Sequence, residues 1–246
     1  MALVGANIGT GGNTTAATTI GIVPPISFSS NTLAVLALAY DNSGTQGADP
    51  FSSITDNAGN TWTSRLNGLN DPGAASAGST LRIFTSFVAS LTTSNTITVT
   101  FTTNTTAKSW TLTQFSSNTA NFIADYLSSG TPATGTSTTP TIAALSMTSG
   151  DAIFGAMANE GNATITADSD TTNGSWSTQQ TVNNGTGTSG MQVASQYKIV
   201  NATGNQTYNL TLSASGDWVI GAIRIREVAA FTGGFDPFGQ MGFFGL

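Results

Sequence analysis

The stretch Thr96-Ile-Thr-Val-Thr-Phe101 alternates threonine with large apolar side chains. Because successive side chains of a β-strand point to opposite faces, this alternation predicts a strand with one buried and one solvated face. Residues 109–115, Ser-Trp-Thr-Leu-Thr-Gln-Phe, follow the same pattern. Threonine covers the wet face of both predicted strands, so the sequence indicates an antiparallel all-β fold.

Two further stretches extend this pattern toward the N-terminus. Thr32-Leu-Ala-Val-Leu-Ala-Leu-Ala-Tyr40 is almost wholly apolar and short, which predicts a strand buried on both faces. Ile54-Thr-Asp-Asn-Ala-Gly-Asn-Thr-Trp-Thr63 predicts two short strands joined by a turn, because Asp and Asn form local hydrogen bonds and Gly59 tolerates a positive φ. Residues 79–88 predict one more strand.

The same order of strands recurs after an exposed connection predicted at residues 128–140. Residues 151–157 correspond to 33–40, 165–176 to 54–62, 191–200 to 81–88, 208–212 to 97–101, and 217–225 to 109–115. Trp62 aligns with Trp176 and Trp110 with Trp218, at offsets of about 110 residues. We interpret the series as a duplicated five-strand unit. The alternative is coincidence, since strands and turns recur at similar spacing in any sandwich.

The predicted fold is therefore an antiparallel, jelly-roll-like β-sandwich built from two five-strand halves. These halves either share one core or form two small adjacent sandwiches. A single core is favoured, because each half carries few large apolar residues. The predicted organisation is an N-terminal arm and first strand in residues 1–28, a sandwich in 29–228 with halves at about 29–127 and 141–228, and an arm in 229–246.

Composition excludes several kinds of chemistry. The chain has no histidine and no cysteine, which removes disulfides, thiolate metal sites and imidazole bases. Only 7% of residues are charged, with a net charge of −6, and the basic residues are scattered. Nucleic acid is therefore not an expected partner. No cofactor motif occurs, and we expect a non-enzymatic protein.

Few residues remain as candidates for a site. Asp168, Asp170 and Asn173 alternate like part of a calcium loop, but the bidentate Glu of an EF-hand is missing. The other aspartates lie in predicted turns, where Asp commonly forms local hydrogen bonds. Trp110 and Trp218 lie in alternating strands and are predicted core residues. Trp62 and Trp176 lie beside turns, so they are the candidate exposed aromatics for a glycan.

The C-terminal segment 231–246 interleaves phenylalanine with glycine and has no strand period. Such a segment cannot bury its own rings, and we predict an arm that lies over a partner molecule. Capping of its own sandwich is the alternative. The predicted contact residues are Phe231, Phe235, Phe238, Phe243, Phe244 and Leu246.

Two observations bear on location. Residues 1–9 lack the basic and long apolar regions of a secretory signal, and no stretch has the length of a membrane span. We therefore expect synthesis and retention in the cytoplasm and no membrane association. The Thr-, Asn- and Gly-rich composition is instead typical of exposed extracellular sandwiches. A virus particle assembled in the cytoplasm and released by lysis satisfies both expectations.

Several motifs resemble a sandwich module of bacteriophage virion proteins and bacterial surface proteins. They are SSNTLAVLALAY at 29–40, SITDNAGNTWT at 53–63, SGDAIFGAM at 149–157 and SASGDWVIGAIRIREV at 213–228. The resemblance covers nearly residues 29–228 and transfers no catalytic residue. It implies a display module, which we expect to be a capsid decoration or other particle-surface protein. We expect this protein to form a homo-oligomer, with a trimer as one option. Its expected partners are the major capsid protein or other virion proteins. The alternative is a carbohydrate-binding or adhesin module.

Overall fold

The computed structural model describes residues 3–41, 47–71, 78–120, 122–187 and 190–230 of the chain. Within these ranges the protein is all-β, and the predicted antiparallel β-sandwich is confirmed. The strands are β1 Leu3–Asn13, β2 Ala17–Ile22, β3 Thr32–Asp41, β4 Phe51–Asp56, β5 Trp62–Asn70, β6 Ser79–Val88, β7 Ile97–Thr105, β8 Lys108–Ser117, β9 Phe122–Ser129, β10 Ala133–Gly135, β11 Leu145–Met147, β12 Ala152–Glu160, β13 Ile165–Thr166, β14 Gln180–Asn184, β15 Met191–Ile199, β16 Gly204–Gln206, β17 Thr211–Leu212 and β18 Trp218–Ala229.

The first half of the chain forms a large and a small sheet. The large sheet has the order β1-β8-β3-β6-β5, and the small sheet has the order β2-β7-β4. The antiparallel pairs β1 with β8, β2 with β7 and β3 with β6 are those of a wound jelly-roll ribbon. β5 departs from that scheme, since it pairs with the outer edge of β6 instead of with β4.

The second half has the same strand order as the first. Its large sheet runs β10-β18-β12-β15-β14, with β9 also paired to β18, and its small layer contains the pairs β11 with β16 and β13 with β17. β9 and β10 pair with β18 as β1 pairs with β8 in the first half. In the small layer, β16 and β17 correspond to β7, since they pair with β11 and β13 as β7 pairs with β2 and β4. Each half therefore has a large inner sheet and a small outer layer.

Three hydrophobic layers replace the single core expected from the sequence. The outer two lie within the halves, around Leu36 in the first and Met157 in the second. The third lies between the two large sheets, where Val35, Phe115 and Phe154 pack. Because each large sheet is covered on both faces, its central strand is buried throughout: β3 and β12 have no exposed residue.

Residues 1–28, predicted as an N-terminal arm and first strand, contain two strands of the sheets, β1 and β2. β1 lacks an alternating apolar pattern because its glycines lie against aromatic rings. A Cβ atom on Gly5 would lie 2.5 Å from the Tyr197 ring, and one on Gly11 would lie 2.6 Å from the Trp110 ring. Small residues are therefore required at these positions, and they conceal the strand in the sequence.

The predicted connection at residues 128–140 is also partly strand. β9 and β10 both pair with β18, so they belong to the large sheet of the second half. The chain crosses between the halves earlier, between Ser117 at the end of β8 and Phe122 at the start of β9. β10 is a three-residue edge strand of Ala, Thr and Gly that buries little apolar surface, which explains why its composition predicted a loop.

Candidate functional site

The strands of the two large sheets begin and end at the same two ends of the molecule, which we call the terminal pole and the distal pole. At the terminal pole, Leu3 pairs with Ser117 and Ala229 pairs with Phe122, so the two ends of the described chain emerge side by side. At the distal pole, β3 ends and β6 and β8 begin, close to the end of β12 and the start of β18. A hydrogen bond from Gly78 N to Glu160 Oε2, 2.9 Å long, joins the halves there.

A pair of carboxyl groups lies at the distal pole. Glu160 is the last residue of β12, and Asp217 immediately precedes β18. Their backbones are joined, since Glu160 N donates to Asp217 O at 2.8 Å, and Ser79 Oγ of the other half donates to the same carbonyl at 3.1 Å. The Asp217 carboxyl lies close enough to Glu160 to raise the pKa of that residue.

The surroundings of Glu160 favour its protonated form. The side chain is 8% exposed, and its buried Oε1 receives no N–H or O–H donor from the residues that the structure describes. The pKa of Glu160 is raised from 4.5 to about 7, chiefly by burial and also by the Asp217 and Asp41 carboxyl groups, against the lowering effect of the Gly78 N–H. Glu160 therefore exchanges its proton near neutral pH.

This carboxyl pair borders a cavity of about 440 Å³ at the distal pole. The lining is polar and small: hydroxyl groups of Thr136 and Ser215, the amide of Asn162, the two carboxyl groups, and glycine or alanine elsewhere. No aromatic or basic side chain belongs to this lining among the described residues. The cavity thus presents hydrogen-bonding groups rather than an apolar surface.

Lys108, a basic residue at the same pole, is turned into the protein. Lys108, at the start of β8, is fully buried, and its Nζ donates to the backbone carbonyl of Thr15 at 2.9 Å and to that of Thr106 at 3.2 Å. Burial lowers the pKa of Lys108, and the Asp41 carboxyl opposes this effect. The ammonium charge is therefore held by the fold and is not directed into the cavity.

The predicted calcium loop is occupied by hydrogen bonds of the chain itself. Asp168 accepts the N–H of Asp170 at 2.8 Å and that of Asn209 at 2.8 Å, and Asp170 accepts the ammonium of Lys198 at 2.9 Å. Asn173 adopts a positive φ of 60° in the turn that follows. A side-chain ammonium is thus bound by one of the candidate calcium ligands, Asp170.

Lys198 is itself completely buried and forms the centre of this loop. Its Nζ also donates to Thr172 O and to Gln206 Oε1, both at 3.1 Å, and it lies 5.0 Å from the centre of the Trp176 ring. Within the described residues, no group of three His, Cys, Asp or Glu side chains converges as metal ligands. The loop is therefore a structural element stabilised by an internal cation.

The two tryptophans proposed to face a glycan are placed differently from that expectation. Trp62 is only 9% exposed, and its indole N–H donates to Asp56 at 2.8 Å. Trp176 is partly buried, and its ring lies 5.0 Å from the ring of Tyr208. Neither offers an open aromatic platform. Trp110 and Trp218 are buried, as predicted, at 7% and 6% exposure.

The terminal pole is the more apolar end. The large hydrophobic side chains that are exposed among the described residues all lie there: Val4, Val23, Ile26 and Phe87. Val4 pairs with Ser116 and Phe87 with Leu33, whereas Val23 and Ile26 belong to the loop between β2 and β3. The predicted arm residues Phe231, Phe235, Phe238, Phe243, Phe244 and Leu246 lie outside the described residues and follow directly from this pole.

The sequence analysis did not identify the Glu160–Asp217 pair, because it placed Asp217 among the aspartates of predicted turns and found no motif that includes Glu160. The sequence did contain one signal for this pair. Glu160 follows the predicted strand at residues 151–157, and Asp217 begins the predicted strand at residues 217–225. If these two strands are neighbours in one sheet, the two carboxyl groups lie at adjoining strand ends.

Comparison with protein-family models, with curated proteins and with solved structures finds no match to this chain. Among the residues that the structure describes, no helix is long and apolar enough to cross a membrane.

Proposed function

We propose that this chain is a bacteriophage virion structural protein, a capsid decoration or other particle-surface protein that stabilises the shell through its terminal pole. The partners are the major capsid protein or other virion proteins, and the assembly is a homo-oligomer. In this proposal the terminal pole faces the particle and the distal pole faces the solvent.

The separation of the two poles carries this proposal. Both ends of the described chain, Leu3 and Ala229, leave from the terminal pole, where Val23, Ile26 and Phe87 are exposed. A contiguous exposed apolar surface commonly marks a contact site. The phenylalanine-rich segment 231–246 directly follows Ala230 in the sequence.

The neutral surface supports the same proposal. Five of the six basic side chains are engaged within the fold, by ion pairs, aromatic rings or backbone carbonyls; these are Arg65, Arg82, Lys108, Lys198 and Arg224. The remaining surface is covered largely by Thr, Ser and Asn, which limits nonspecific attachment to nucleic acid. Such a surface suits a protein displayed at high density on a particle.

A truncated chain tests the proposal. A variant ending at Ala230 retains every described strand, so we expect an unchanged thermal unfolding midpoint and complete loss of incorporation into particles. The matched control is the full-length chain with Thr232→Ser and Gln240→Ala, which keeps the five phenylalanines of the segment and is incorporated normally. Mass spectrometry of purified particles provides the measurement. Normal incorporation of the truncated chain, or absence of the full-length chain from particles, contradicts the proposal.

A second candidate is carbohydrate recognition, and the distal cavity is the observation that favours it. The lining of hydroxyl, amide and carboxyl groups is of the kind that binds saccharides. Trp62 is buried, so recognition at the distal pole would not use it. Binding to a glycan array that survives Trp62→Phe and requires the distal cavity would favour this function.

A further inference from the structure

We propose that, in the free protein, residues 231–246 lie over the terminal pole of their own chain and cover its exposed apolar side chains. We call these side chains the terminal patch; they are Val4, Val23, Ile26 and Phe87. The inference concerns the isolated chain. It goes beyond the virion role proposed above and does not depend on it.

The terminal patch is an apolar surface that none of the described residues covers. Its side chains are between 39% and 57% exposed, and the part of the chain that the structure describes has no other exposed large hydrophobic side chain. A Cβ atom on Gly9 of β1 would clash with the ring of Pro25, so the loop between β2 and β3 packs on the strand that carries Val4. Val23 and Ile26 therefore flank a residue that contacts β1.

The area of the terminal patch indicates what kind of occupant it fits. At these exposures its side chains offer on the order of 300 Å², which is the size of the largest apolar patch on an ordinary monomer. A stable interface buries about 800 Å² on each partner, so two copies that met only through this patch would fall well short. A phenylalanine side chain buries roughly 150–250 Å². The five phenylalanines of residues 231–246 therefore supply the apolar area that a second terminal patch lacks.

The last strand ends beside the terminal patch. β18 ends at Ala229, and Glu227 of the same strand accepts a hydrogen bond from the hydroxyl of Ser117. Ser117 pairs with Leu3, the neighbour of Val4 in β1. Because a chain advances up to about 3.4 Å per residue, a few residues after β18 are enough to reach Val4.

The covalent connection favours the chain's own patch over that of a second copy. A short connection gives the attached segment an effective concentration in the millimolar range at a neighbouring surface. A second copy at micromolar concentration competes poorly with it. Residues 231–246 also contain only one charged side chain, Asp236, so little charge has to leave water when the segment docks.

Docking of this kind should have little effect on the thermal unfolding midpoint. Ordering the backbone and side chains of the segment costs conformational entropy, which offsets much of the gain from burying the rings. Removal of the segment therefore changes the stability of the strands little, and docking has to be measured as proximity.

A spin label provides that measurement. The chain has no cysteine, so Gly242→Cys gives the full-length protein a single attachment point for a nitroxide. The label broadens the amide signals of nearby residues in an isotope-labelled sample. We expect loss of signal for Val4, Ile26 and Phe87 and unchanged signals for Gly78 and Gly216 of the distal pole. Equal effects at both poles, or no loss at either, would overturn the inference.

A mixed sample distinguishes the chain's own patch from that of a second copy. Spin-labelled protein without isotope is combined with isotope-labelled protein without a spin label, so that only contacts between copies are seen. We expect no loss of signal in this sample. Loss at the terminal patch in the mixture would assign the segment to a second copy and contradict the proposal.

Substitutions in the patch test its role in docking. Ile26→Ser and Phe87→Ser replace exposed apolar side chains, and each should weaken docking by roughly tenfold, so that the double variant recovers the lost signals. The matched control is Ala214→Ser, which changes an exposed apolar residue of the distal pole and keeps the loss. The amide spectrum of each variant also shows that the strands remain folded. An unchanged loss of signal in the double variant would show that the segment does not dock on the terminal patch.

Discussion

Replacing Glu160 with glutamine should stabilise the protein at alkaline pH and leave it unchanged in mild acid. Glutamine has the shape of the protonated glutamic acid, can accept the N–H of Gly78 and can donate to Asp217. The folded protein raises the pKa of Glu160 from 4.5 to about 7. At about 1.4 kcal/mol per pKa unit, this difference corresponds to roughly 3 kcal/mol. The pair borders an open cavity, so screening by water reduces the expected effect to about 2 kcal/mol.

The sign follows from the protons bound in each state. Between pH 4.5 and about 7 the folded protein retains a proton on Glu160 that the unfolded chain has released. The contribution of this group to stability is therefore fully present below pH 4.5 and is lost as the pH rises through about 7. Asp170 behaves oppositely: hydrogen bonds from Thr172 and Lys198 lower its pKa to about 2, so its contribution is lost in acid.

Urea unfolding followed by tryptophan fluorescence, repeated from about pH 5 to about pH 8, measures the effect. The free energy of unfolding of the unmodified protein should fall by about 2 kcal/mol over this interval, and Glu160→Gln should lack that fall. Asp125→Asn, which removes an exposed carboxyl near the other pole, should keep it. Equal pH slopes for Glu160→Gln and the unmodified protein would refute the assignment of a raised pKa to Glu160.

Three further variants address the packing. Lys198→Met removes a buried ammonium from its oxygen partners and should cost about 1–3 kcal/mol by urea unfolding, whereas no loss would show that the loop does not need its cation. Gly135→Ala places a Cβ atom 2.6 Å from the Trp218 ring and should lower the thermal midpoint by the equivalent of about 1–3 kcal/mol; Gly130→Ala, with its nearest atom at 3.6 Å, is the control and should change it little. Leu36→Ala should cost about 2–5 kcal/mol of unfolding free energy, and a smaller loss would contradict its place in the first core.

The success of the sequence prediction differed between strands for a physical reason. β3, β6, β7, β8, β12, β15 and β18 were anticipated because burial on one or both faces leaves a pattern within a single strand. A first strand was expected within residues 1–28, but the bounds of β1 were not predicted, because Gly5 and Gly11 are required by the rings of Tyr197 and Trp110 elsewhere in the chain. The pattern of apolar and polar residues in a strand depends on which of its faces are buried, and it does not show which side chains of other strands pack against it.

The candidate site shows the same distinction. Trp62 was expected at the surface because it lies beside a turn, but Asp56 of that turn accepts its indole N–H and holds it in the core. The carboxyls of the expected calcium loop are instead held by backbone N–H groups and by Lys198, from a different strand. In both cases local spacing identified the polar residues, whereas their partners depended on how the strands were arranged.

The sequence by itself determined that the protein is a β-sandwich, since two-residue periodicity, threonine-covered faces and two wholly apolar strands are local consequences of burial. It also showed the repeated order of the strands. Only the tertiary structure decided that the two large sheets pack face to face, which creates a third core and places Glu160 against Asp217. Burial of Glu160, together with the nearby Asp217 carboxyl, raises the pKa of Glu160, and no stretch of sequence contains both residues.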